Sequence, residues 1–122
     1  MKSHSGGRSA AHNQLAESVQ AYLDAHPDCR VTLLDLQEVF HVSGTQIKSA
    51  YKARYGMSLY ADTKARKMRA AAAALRETND TVLEIAGRFG YDNAGKFAAA
   101  FRSVMGVTPL RYRRGHAPAA GE

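Results

Sequence analysis

At 122 residues with 45% apolar side chains, the chain can form one small domain, or two small lobes that share a helix. A net charge of +6, from 17 Lys plus Arg against 11 Asp plus Glu, favours an anionic partner such as nucleic acid or an acidic membrane surface. The single cysteine, Cys29, excludes an intramolecular disulfide and fits a reducing compartment; with no secretory signal and no apolar run near the ~18 residues of a spanning helix, a cytoplasmic, membrane-free location is expected.

Residues 1–11 are Gly- and Ser-rich with no apolar period, and are expected to form a flexible tail. Leu15, Val19, Tyr22 and Leu23 then fall on one face of a helix from about His12 to His26, which Pro27 stops. Cys29, beside the following turn, has no second thiol to pair with and is read as structural or incidental. Thr32-Leu33-Leu34-Asp35 is a capping-box pattern opening a helix to Phe40, with Leu33, Leu36, Val39 and Phe40 inward. His41-Val42 makes the turn, and a second capping box, Ser43 to Gln46, starts a helix to about Tyr55 with Ile47, Ala50, Tyr51 and Tyr55 on its buried side.

Gly56 ends that helix and Ser58 caps a long one, Leu59 to Glu77, with an alanine run at residues 70–74. At ~1.5 Å per residue its length is roughly 30 Å. Thr81 to Glu84 is a third capping box, opening a helix to about Phe89. Gly90-Tyr91 turns the chain, and Asp92 or Asn93 caps a helix to about Met105 that carries Phe97, Phe101 and Val104. Gly106 ends it, and Thr108-Pro109 opens a last short helix to about Arg113. Residues 115–122 carry no pattern and are expected to form a flexible tail. No stretch alternates as a strand does, so the fold class is all-α.

The second half repeats the first about 50 residues later. Ser43 to Lys52 aligns with Asn93 to Arg102, with apolar, Ala, aromatic and basic positions in register, and Gly56-Met57-Ser58 aligns with Gly106-Val107-Thr108. Upstream, Leu34-Asp35-Leu36 and Phe40 match Leu83-Glu84-Ile85 and Phe89 one residue out of step, so the second turn holds one added residue. A helix-turn-helix unit that occurs twice in a basic chain is the pattern of a reader of two adjacent DNA grooves. Five scattered histidines form no metal-ligand spacing, and no phosphate loop, nucleophile elbow or paired carboxylates appear, so no metal, cofactor or catalytic residue is expected.

Leu83-Glu84-Ile85-Ala86, Phe89-Gly90-Tyr91, Phe97, Phe101-Arg102, Gly106-Val107-Thr108-Pro109 and Tyr112-Arg113 resemble the second half of the AraC/XylS-type DNA-binding domain, and the resemblance extends over about His12 to Arg114. It implies seven helices in two helix-turn-helix lobes, residues 12–57 and 78–114, joined by a linker helix at 58–77. It implies a transcriptional regulator in which each lobe sets one recognition helix in the major groove, about one turn (~34 Å) apart. Double-stranded DNA is the implied partner, with RNA polymerase a further one, and the resemblance leaves room for an effector-binding domain outside this chain.

Carried over position by position, the resemblance implies that Thr45, Lys48 and Ser49 read bases. On the same helix Gly44, Gln46 and Lys52 also point away from the apolar stripe, and Lys52 and Arg54 suit phosphate. Ser43 and Asn93 cap the two recognition helices, whose free amides suit phosphate as well. In the second, Asn93, Lys96, Arg102 and Ser103 offer donors, while Ala98-Ala99-Ala100 replaces the family's long polar readers and Ala99 can only pack on a thymine methyl. Weaker discrimination by the second lobe follows, with Lys96 and Arg102 holding backbone. Asp62-Thr63 stands where the family has an aromatic and a leucine, which predicts looser packing there, and Lys67-Met68 stands for its Arg-Met. Lys64, Arg66, Lys67 and Arg69 are read as mainly solvated or partner-facing, with at most one near phosphate. The alternatives are a basic protein-interaction module with an acidic partner, and a nonspecific architectural DNA binder.

Overall fold

The computed structural model describes residues 2–27 and 30–116, with side chains from residue 11 onward. Cys29 and the stretch from residue 117 lie outside the described residues. Among the described residues the protein is all-α: α1 Lys2–Asp24, α2 Leu33–Phe40, α3 Gly44–Tyr55, α4 Leu59–Glu77, α5 Val82–Arg88, α6 Ala94–Met105 and α7 Pro109–His116.

Six of these helices start where their caps predict. Thr32, Ser43 and Thr81 each accept from the backbone N–H three residues on, while Asp35, Gln46 and Glu84 reach back to the N-cap amide. Asn93 rather than Asp92 caps α6, its Oδ1 taking the Lys96 N–H at 2.7 Å. Ser58 and Thr108 cap α4 and α7 in the same way, at 3.0 and 3.3 Å. Such bonds satisfy amides that a helix start otherwise leaves unpaired.

Helix α1 departs from expectation. It begins at Lys2, where the apolar period starts only near His12 and a flexible tail was expected before it. Once a helix is nucleated, adding a residue costs far less than starting one, so a polar extension needs no apolar face to announce it. Helix α7 likewise runs to His116, past the expected end at Arg113, and its last turn is closed by the His116 Nδ1 bond to the Tyr112 carbonyl at 2.8 Å.

The chain divides into two compact units between Thr63 and Lys64, inside α4. The first unit buries Ala16, Val19 and Leu23 of α1, Leu36 of α2, Ile47, Ala50 and Tyr51 of α3 and Leu59. The second buries Met68, Ala71, Ala72 and Leu75 of α4, Ile85 and Ala86 of α5, and Phe97, Ala100 and Phe101 of α6. Leu33 and Phe40 are half-buried against the first core, whereas Val39, expected inward, is 41% exposed. The alanine run thus has a second use besides helix propensity, since Ala71 and Ala72 are wholly inside.

Each unit also carries a polar contact that fixes its last helix. In the first, the Tyr51 hydroxyl donates to Asp62 Oδ2, and Asp62 is only 8% exposed. The packing expected to be loose at Asp62 is therefore made by a buried hydrogen bond that joins α3 to the start of α4. In the second, Arg113 of α7 donates from Nε to the Leu75 carbonyl and from Nη2 to the Thr78 carbonyl, both at 3.0 Å. It satisfies acceptors at the C-terminal end of α4, where a helix leaves carbonyls unpaired. Arg76 donates to the Tyr112 hydroxyl at 2.6 Å. The Tyr112-Arg113 pair thus has a structural function in closing this unit.

Candidate nucleic-acid interface

Helices α3 and α6 are the second helices of the two helix-turn-helix units, and each is set by a side-chain N-cap and a glycine C-cap. Gly56 and Gly106 take φ of 73° and 84°, a left-handed conformation that lets the chain leave the helix without a Cβ clash. The buried stripes Ile47-Ala50-Tyr51 and Phe97-Ala100-Phe101 hold the inner face of each helix on its own core.

The opposite faces carry the expected contacts. Ser43, Thr45, Gln46, Lys48, Ser49 and Lys52 are all exposed on or at the start of α3, and Asn93, Lys96, Ala99 and Arg102 are exposed on or at the start of α6. In the first unit this is a run of hydroxyl, amide and ammonium groups that can both donate and accept along base edges and phosphates. In the second the middle of the helix is small: Ala98 is half-buried, Ala99 exposed, and Ser103 turns its hydroxyl back to the Ala100 carbonyl at 2.7 Å. That leaves Asn93, Lys96 and Arg102 as the polar groups facing outward.

Gly44 departs from the sequence reading, and four basic side chains have surroundings that the sequence does not show. Gly44 does not point away from the core; it is buried, and a Cβ there would lie 2.4 Å from Gln37 Oε1 and 2.9 Å from Leu33 Cδ2. Glycine is what lets α3 approach α2 this closely. Arg54, read as suiting phosphate, is exposed and has neighbours in its own unit: its Nε lies 3.2 Å from Glu17 Oε2 of α1, and its guanidinium carbon is 5.0 Å from the Tyr55 ring centroid. Lys64, Arg66 and Lys67 of α4 are half-buried, and Arg69 is exposed.

Asp92, weighed only as a cap, stands outside the helix it precedes. Its Oδ1 is 3.9 Å from Lys96 Nζ, and the two side chains keep 82% and 70% of their exposure. The register of the repeat is the signal that could have singled it out, since the same place before the first recognition helix holds Val42.

Among the described residues no cluster of His, Cys, Asp or Glu could hold a metal ion, and no helix is long and apolar enough to cross a membrane. Two helix-turn-helix units, each with the polar face of its second helix in solvent, define a DNA-binding module.

The family follows from comparison with known proteins. The chain belongs to the helix-turn-helix domain family, whose model matches residues 36–115, and it is of the AraC type. It is 29% identical over 104 residues to the multiple antibiotic resistance protein MarA of Escherichia coli, covering 83% of this chain and 82% of that protein. The C-terminal domain of AraT, a response regulator from Geobacillus stearothermophilus, matches with a TM-score of 0.75 at 30% identity, over 86% of this chain and 88% of that one. A probable AraC family transcriptional regulator from Rhodopseudomonas palustris matches with a TM-score of 0.75 at 25% identity, over 86% and 99%. The protein is a sequence-specific, double-stranded-DNA-binding regulator of transcription, and not an enzyme.

Proposed function

We propose that α3 and α6 are the two recognition helices, each laid in a major-groove segment, and that they share the reading unequally. The observation that carries this is the pair of outward faces: α3 exposes Thr45, Gln46, Lys48, Ser49 and Lys52, whereas α6 exposes Ala99 at its middle and keeps its donors at Asn93, Lys96 and Arg102. Lys48 donates to guanine O6 or N7, Thr45 and Ser49 bond base edges, and Lys52 and Arg102 meet phosphates. Ser43 and Asn93 set the helix starts against the backbone. The protein acts as an activator in the cytoplasm with RNA polymerase as its further partner, and an effector-binding domain elsewhere in a longer regulator fits the same module. The F1 operon positive regulatory protein of Yersinia pestis, to which the chain is 27% identical over 97 residues, supports the activator part of this reading.

Selection from a random duplex pool across a salt series tests the proposal. Two short motifs about one helical turn (~10 bp) apart are expected, the α3 motif being the better defined. Affinity should fall roughly 10³-fold from low to high salt if each unit neutralises about three phosphates. Lys48→Ala should lose roughly tenfold or more on the selected site and much less on random DNA. Equal weakening on both would mean that Lys48 holds only backbone, and retention without enrichment would mean an architectural binder.

A further inference from the structure

The second unit's recognition helix has few readers, yet its N-terminal end carries a carboxylate. Asp92 is 82% exposed immediately before the Asn93 cap, and its Oδ1 lies 3.9 Å from Lys96 Nζ on the first turn of α6. The cap itself is made by Asn93, so Asp92 is not needed to start the helix. A carboxylate placed here is repelled by phosphates and weakens any purely electrostatic grip, a cost that a donor on a base edge would offset.

The major groove offers one such donor beside a matching acceptor. A guanine·cytosine pair presents guanine O6 and N7 as acceptors and cytosine N4 as a donor, and O6 and N4 are bonded to each other about 3 Å apart. An ammonium and a carboxylate oxygen 3.9 Å apart form the complementary pattern: the lysine donates to O6 or N7, and the aspartate accepts from the free N4 hydrogen. An adenine·thymine pair in the same orientation puts its N6 donor where guanine has O6 and its O4 acceptor where cytosine has N4, so it opposes the aspartate and leaves the lysine only N7.

We infer that Asp92 and Lys96 together read a single G·C base pair in the half-site of α6. Asp92 is then a specificity-determining residue for cytosine, and Lys96 contacts a base rather than only the backbone. The inference rests on the proposal that α6 lies in the major groove. The added residue of the second turn accompanies this group, and Val42 at the same place in the first unit can make no such contact.

The test uses the whole chain and the site selected with it, altered one base pair at a time, with binding followed by fluorescence anisotropy at physiological salt. One G·C pair in the second half-site should lose about tenfold in affinity when changed to A·T. In Asp92→Ala that penalty should shrink to about threefold or less while the preferences of the α3 half-site stay, and affinity for random duplex should hold or rise because a negative charge is gone. Lys96→Gln should lose the same preference. Because Asp92 is exposed and Asn93 remains, the thermal melt of Asp92→Ala should match the parent. An unchanged preference at every position in Asp92→Ala, or no G·C-dependent position under α6 in the parent, overturns the inference and leaves the two-helix reading standing. Failure of the parent chain to enrich any sequence overturns that reading, and this inference with it.

Discussion

The two units solve the same packing problem with different chemistry at equivalent places. Where the first pairs Tyr51 with Asp62 through a buried hydrogen bond, the second, 50 residues on, sets Phe101 edge-on to Tyr112, with ring centroids 5.5 Å apart. Where the first uses Gly44 to let α3 approach Gln37 and Leu33 of α2, the second has Ala94 in α6 and Ala86 in α5. Where the second turns the chain at Gly90 with φ of 89°, the first does so at His41 with φ of 56°, among the described residues the one non-glycine with positive φ. The lesson is that the unit conserves volume and turn geometry across the interface of its two helices, not residue identity: a small side chain is required on one side of the contact, and either helix can supply it.

The largest expected effect breaks the polar pair. Tyr51→Phe writes the second unit's phenylalanine into the first and removes a buried bond to a carboxyl, so it should cost roughly 1.5–3 kcal/mol. A double-mutant cycle with Asp62→Ala checks it in urea melts, and a coupling below about 0.5 kcal/mol would show that the two side chains do not act together.

A smaller effect probes the close approach at the first turn. Gly44→Ala should cost about 1 kcal/mol, because its Cβ meets Gln37 Oε1 and the Leu33 tip inside van der Waals distance. Both obstacles are ends of flexible side chains, which keeps the cost moderate. Gln37→Ala should recover most of the loss, since the pair then matches Ala86 and Ala94. Additive losses in thermal melts would argue against a shared contact.

The smallest effect concerns the turn itself. His41→Gly should stabilise by up to about 1 kcal/mol, the relief of a left-handed L-residue less the added freedom of the unfolded glycine. A lower melting temperature would show that the His41 side chain contributes more than its backbone costs.

Much of this comparison was legible in advance, because the local signals are strong. The capping boxes at Thr32, Ser43 and Thr81 name both the helix start and the side chain that closes it, and the structure makes each of them. The apolar stripes named Ile47, Ala50, Tyr51, Phe97 and Phe101 as core, and all are buried. The same stripes, by elimination, left one outward face on each recognition helix, which is why Thr45, Gln46, Lys48, Ser49, Lys52, Lys96, Ala99 and Arg102 are exposed, whereas Gly44, placed on that face, is buried. Val39 misled because its helical spacing is right while its helix is too short for a wide buried face. The start of α1 was hidden because helix extension leaves no periodic trace in polar sequence.

By itself, then, the sequence determined the helices, their caps, the two-fold repeat and the family, all of which rest on interactions between residues a few positions apart or on a pattern long enough to be specific. Tertiary structure alone decided the rest. Gly44 faces inward because α2 crosses there, Arg54 meets Glu17 because α1 lies beside α3, and Asp62 is buried because Tyr51 is eleven residues away in sequence but in contact in space. These outcomes depend on which helices touch and at what separation, and neither periodicity nor propensity encodes the distance between two helices.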